Sequence, residues 1–120
     1  MKHLVAFIAL VATSGQAGSA PRPPIQPGQY TFQHRFAEHP GIRSISVTAR
    51  IDGIHIVLTN HGPPDVFPKG VVAEGTLMWH AGARQWIIGH EPSDRHAKEV
   101  GGCSDGPEVI DLRTLIYWTC

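Results

Sequence analysis

The sequence predicts an all-β domain, a small antiparallel meander of about six strands forming a barrel or a sandwich. Three observations predict it. Apolar and polar residues alternate with period two in several short runs after residue 28, the signature of half-buried strands. Gly-, Pro-, Asn- and Asp-bearing segments separate these runs at hairpin spacing. No stretch beyond the N-terminal segment carries an apolar stripe of helical period long enough for a core helix.

The first segment sets the compartment. Met1-Lys2-His3 is a short basic start, Leu4 to Ala12 is an unbroken apolar run, and Ala17-Gly18-Ser19-Ala20 is a small-residue site before Pro21. Charge, apolar run and small residues in that order read as a cleaved N-terminal signal helix over 1–20. The apolar run is shorter than the roughly 20 residues a bilayer span needs, so no membrane anchor is expected. No cysteine at the cleavage point offers a lipid attachment site. The expected location is therefore periplasmic or extracellular, and the mature chain starts near Pro21, with Gln16-Ala17 as a second possible cleavage site.

Residues 21–28 hold Pro21, Pro23, Pro24 and Pro27. Proline fixes φ and lacks a backbone donor, which makes this an extended arm. Residues 29–120 form the single β domain. Gly28 to Phe36 opens it, with Tyr30, Phe32, His34 and Phe36 on one face; Ala37 to Gly41 is a turn.

The clearest hairpin follows. Ile45, Val47, Ala49 and Ile51 alternate with polar residues, as do Ile54, Ile56 and Leu58, on either side of Asp52-Gly53. Asp-Gly between alternating runs predicts a two-residue type I′ turn. In that register Ile51 faces Ile54, Ala49 faces Ile56 and Val47 faces Leu58. Asn60 to Gly70 is a long loop, and its Phe67 either plugs the core or serves as a contact residue. Thr76 to Ile88 is a second hairpin turning through Ala81-Gly82-Ala83. A tight turn at Gly82-Ala83 would pair Trp79 with Trp86 and Leu77 with Ile88, setting two aromatics together on one face.

Ser93 to Glu99 reads as one short helical turn near 93–99, capped by Ser93. Gly102 to Cys120 closes the domain as two antiparallel strands. The two cysteines of the chain, Cys103 and Cys120, lie in this stretch. Under export they most simply form one disulfide, with about 3 kcal/mol of stabilisation through the unfolded state.

Ten basic and ten acidic residues cancel, so no strong field draws the protein to nucleic acid or to an anionic membrane. The eight histidines are the one unusual feature of composition. His90, Glu91, Asp94 and His96 are the only cluster with the flavour of a metal site, and they lack a paired His spacing. No metal and no cofactor are expected. The serines lie in no Gly-x-Ser-x-Gly elbow, and the acids fall mainly in turns and loops, where they shape turns. The expected function is therefore non-enzymatic recognition of a protein partner, of inhibitor or immunity type, with Phe67 and the His90, Glu91, Asp94 and His96 segment as contact loops. The alternative is a lipocalin-like small-ligand binder whose cavity is lined by Phe32, Trp79 and Trp86. A metal-dependent enzyme comes third. In outline, with export, a strand meander and a C-terminal disulfide, the chain resembles small periplasmic β-barrel proteins, the periplasmic lysozyme inhibitors among them. No inhibitory-loop motif accompanies the resemblance, so no functional residue is carried over.

Overall fold

The computed structural model describes residues 21–120. The expected signal helix over 1–20 lies outside the described residues. The domain is all-β, with seven strands rather than about six: β1 Gly28–Phe36, β2 Ser46–Asp52, β3 His55–Asn60, β4 Gly70–His80, β5 Gln85–Gly89, β6 Glu108–Asp111 and β7 Ile116–Thr119. Between the barrel and the sandwich left open by the sequence, the fold is a closed barrel in the order β1 to β7. Each consecutive pair is antiparallel. An odd-numbered meander brings its first and last strands together running the same way. Closure is accordingly made by a parallel β1–β7 pairing, Gln33 beside Ile116 through Phe36 beside Thr119. Closure satisfies both edges, which removes the template for edge-to-edge aggregation.

β1 and β4 each serve two neighbours. β1 pairs with β2 up to Gln33 and with β7 from Gln33 onward. β4 pairs with β3 over Gly70–Thr76 and with β5 over Thr76–His80. The strand is longer than expected: residues 70–75 join it, and the preceding loop ends at Lys69. Gly75 sits at the change of partner. A Cβ there would lie 2.5 Å from the carbonyl oxygen of Gly89, so only glycine lets the two strands approach at this corner.

The first hairpin keeps its predicted faces and changes its register by two. Asp52 pairs with His55, Ile51 with Ile56 and Ala49 with Leu58. The turn is Gly53-Ile54, with Gly53 at φ 61° and no positive φ at Asp52 or Ile54. Glycine first with an ordinary residue second is the type II′ pattern. It spares Asp52 the left-handed conformation a type I′ turn would impose, which costs a non-glycine residue about 1–2 kcal/mol. Ile54 is left 52% exposed on the turn. In the second hairpin Trp79 does pair with Trp86 and Leu77 with Ile88. The connection takes four residues, Ala81 to Arg84, and its left-handed position is Arg84 (φ 53°) rather than Gly82.

Inward-pointing side chains fill the barrel. Phe32, Val47, Ala49, Ile51, Ile56, Leu58, Leu77, Ile88, Ile110 and Tyr117 are all buried in one cluster, each large one worth about 1.5–3 kcal/mol. Ile25 of the Pro-rich arm packs against this cluster, and the Tyr30 hydroxyl donates to the Gln26 carbonyl at 2.6 Å. The arm is therefore held on the barrel.

A second, smaller cluster lies on the outer wall. Met78, Ile87 and Val109 have the opposite parity and are covered by Val100 and Trp118. The segment 90–107 crosses this wall as a strap. Ala83 N–H donates to His80 Nδ1 at 3.0 Å, so Nε2 carries the proton and donates to the Ala97 carbonyl at 2.7 Å. The Cys103–Cys120 disulfide ties the strap to the residue after β7, with Cα atoms 4.5 Å apart. Such a bridge fits an oxidising, exported compartment. Among the described residues no helix is long and apolar enough to cross a membrane. The strap's helical piece is a 3-10 turn over Pro92–His96, beginning one residue before the predicted Ser93 and ending sooner. Its organiser is Asp94, whose Oδ2 accepts from the amides of His90 (2.7 Å) and Glu91 (3.1 Å). Those bonds hold the carboxyl below its ordinary range.

Candidate functional site

Alternation of strands sorts the connections. The three long ones, residues 37–45, 61–69 and 90–107, leave the same end of the barrel, here the loop end. The short ones, 53–54, 81–84 and 112–115, occupy the other, the turn end.

The loop end is organised around His34, which is 1% exposed. β1 carries it inward because it shares parity with Phe32. Its Nδ1 lies 2.6 Å from Ser44 Oγ, in the 37–45 loop, and its Nε2 lies 2.7 Å from Thr119 Oγ1, at the end of β7. Hydroxyls donate or accept, so both ring nitrogens are satisfied in either neutral tautomer. Burial lowers the pKa of the ring, since desolvation penalises the imidazolium. Phe36 and Phe67 meet the ring edge-on, with centroids 4.6 and 4.9 Å away.

Phe67 reaches that position because Asn60 fixes its loop. Asn60 is 1% exposed and follows Leu58 inward at the end of β3. Its Nδ2 donates to the carbonyls of Phe67 (3.0 Å) and Pro63 (3.2 Å), and its Oδ1 accepts from the Gly62 amide at 2.9 Å. One buried amide thus replaces the backbone pairing that a proline-rich loop cannot supply for itself.

Tyr117 completes the floor. Its ring lies 5.8 Å from His34, and its hydroxyl donates to the Glu108 carboxylate, with oxygens at 2.8 and 2.9 Å. Burial pushes the Glu108 carboxyl up, against the opposing effect of the Tyr117 bond. Burial and the adjacent carboxylate push the Tyr117 phenol up. No buried side-chain polar atom among the described residues lacks a partner.

The expected contact residues separate on the structure. Phe67 is half-buried and faces the barrel. His90, Glu91 and Asp94 line a recess of about 250 Å³ with Asp105 and Glu108, and His96 stands outside it. Among the described residues no group of three or more His, Cys, Asp or Glu side chains is placed to hold a metal. Of the expected cavity residues, Phe32 is fully buried in the packed interior. Trp79 and Trp86 instead line an open cleft of about 340 Å³ at the turn end, shared with Trp118, Arg84 and Arg113.

The residues that sequence reasoning passed over are Asn60, Ser44 and Thr119, together with the specific role of His34. A signal existed for two of them. Parity points His34 and Asn60 inward, and a polar side chain at an inward position needs partners. No family model, curated protein or solved structure matches the chain. The functional reading therefore rests on the geometry.

Proposed function

We propose that this is an exported, non-enzymatic binding module that docks a protein partner on the loop end of its barrel. One observation carries the reading: the loops at that end are held from beneath while apolar side chains remain on top. Ile42 in the 37–45 loop, Val66 in the 61–69 loop and Val71 at the start of β4 are 54%, 37% and 61% exposed. They account for three of the four exposed large hydrophobics among the described residues; the fourth, Ile54, sits at the turn end. Loops ordered before binding lose little entropy on docking, which is how small rigid inhibitors gain affinity. His34, Asn60 and Tyr117 are engaged in that ordering, a role that needs no chemistry from them. The disulfide and the closed barrel give the stability an exported domain of this size requires.

The experiment is capture from the exported fraction of the native host, comparing the wild-type protein with Ile42→Asp and Val66→Asp. A stoichiometric protein retained by wild type and lost by both variants is expected. Equal recovery by all three, or no retained protein, would end the proposal.

A further inference from the structure

We propose that the cleft at the turn end is a second binding site, for an acidic saccharide. It lies at the opposite end of the barrel from the docking surface and does not depend on it. Trp79 and Trp86 pair across β4 and β5 with centroids 5.5 Å apart and ring planes 60° from parallel. Trp118 of β7 lines the same cleft. The lining combines apolar side chains, Val109, Ile110 and Leu112, with charged ones. Arg84 projects from the 81–84 turn and Arg113 from the 112–115 turn. The one ion pair among the described residues is His55 with Glu74; Arg113 acts through space on the Asp111 carboxylate, while Arg84 makes no ion pair among the described residues. Asp111 also lines the cleft. Its Oδ1 accepts from the amides of Arg113 (2.9 Å) and Thr114 (3.0 Å), and the Thr114 side chain also bonds to the carboxylate, so the 112–115 turn holds this acceptor in place at the cleft.

The ligand class follows from these groups taken together. Two arginines against one aspartate leave the lining net positive, which favours an anion. Indole faces take the C–H face of a sugar ring as readily as an aromatic one. The volume, about 340 Å³, is at the low end for small-ligand pockets, and the cleft is open to solvent. An apolar aromatic ligand would bury too little of its surface there. A saccharide, whose hydroxyls stay solvated or bond to Asp111 and Gln85, suits an open site. The backbone supplies a separate observation. Arg84 (φ 53°) and Leu115 (φ 59°) are the two non-glycine residues in left-handed conformation among the described residues, and they belong to the two turns that bound the cleft. Glycine would suit position 84 better than arginine for folding alone, so the side chain there answers to something other than the turn.

Titration of the purified protein with trigalacturonate, followed by tryptophan fluorescence, tests the assignment. A saturable change is expected. The corresponding neutral galactose oligosaccharide should bind at least about tenfold more weakly, as loss of charge-assisted bonds implies. Arg84→Gly and Arg113→Ala should each weaken trigalacturonate binding by about tenfold, with the Arg84→Gly melting temperature unchanged or raised. Ile42→Asp and Val66→Asp should leave the titration as it is. The assignment is overturned by no saturable response to trigalacturonate, by equal affinity for the neutral oligosaccharide, or by unaltered binding in the two arginine variants. A loss of binding that accompanies a lowered melting temperature in both arginine variants also counts against it.

Discussion

The two ends of this barrel are built on opposite plans. At the turn end, connections of two to four residues close the strands directly, and the side chains at the rim stay partly exposed. At the loop end, long connections need internal support, and the barrel lends it three inward side chains, His34, Asn60 and Tyr117. The difference teaches where polar burial is useful. A short turn satisfies its own backbone. A long loop that must stay in one conformation needs buried donors and acceptors beneath it. The strap over residues 90–107 takes a third route, through an apolar seat for Val100 and a covalent tie at Cys103.

The largest effect should come from cutting that tie. Cys103→Ser should lower stability by about 3 kcal/mol, read as a fall in melting temperature. Hydrogen exchange should quicken chiefly in 90–107 and leave the turn end protected. Equal loosening at both ends would show that the strap holds the whole barrel.

Next is Asn60→Ala, which orphans the carbonyls of Phe67 and Pro63 and should cost about 2 kcal/mol. Phe67 should then become mobile, with broadened aromatic resonances, while Trp79 and Trp86 keep theirs. A variant as stable as wild type would mean that Phe67 holds the loop without the amide.

A smaller effect concerns pH. Burial depresses the pKa of His34 below its ordinary 6.5, so the unfolded chain takes up the proton first. Stability should be flat above about pH 6.5 and fall as pH drops below it. Glu108 has the opposite sign, since burial raises its carboxyl above 4.5. Its contribution is fully present below that pH and is lost as pH rises through the folded value. His34→Gln should remove the acid-side slope and Glu108→Gln the other, as measured by denaturant midpoints across pH 4–8. Identical profiles in His34→Gln and wild type would assign the acid slope elsewhere.

The smallest effect belongs to the turn end. Leu115→Gly relieves a left-handed leucine at φ 59° and should change stability by less than about 1 kcal/mol, toward gain. A loss of several kcal/mol would mean that Leu115, which packs on the core from this turn, matters more as a side chain than as a strained residue.

Much of the fold was legible because strand parity is a local property. Alternation puts Val47, Ala49, Ile51, Ile56 and Leu58 on one face, and all are buried, even though the hairpin register differs by two residues. A shift of two preserves faces, so patterning alone could not choose between the two turns. The pairing of Trp79 with Trp86 was legible for the same reason. The candidate site was much less so. By pattern alone Phe67 fits either plug or contact, and its seat depends on His34 and Asn60, which are distant from one another in sequence. Pattern alone groups Trp79 and Trp86 with Phe32 around an inner cavity. In the folded protein the interior is packed; Trp79 and Trp86 keep the inner parity of Leu77 and Ile88, Trp86 rests against the core, and both line an open turn-end cleft with Trp118, which belongs to the outer wall.

By itself the sequence determined the all-β class, the strand faces and the pairing of the only two cysteines, because each depends on period-two patterning or on simple availability. Tertiary structure alone decided the closing of the barrel through a parallel β1–β7 contact, the folding of 90–107 across the outer wall, and the gathering of His34, Ser44 and Thr119. Those depend on strand count and tilt, which bring residues as far apart as His34 and Thr119 to 2.7 Å. A local pattern fixes which way a side chain points; only closure of the sheet fixes what it meets.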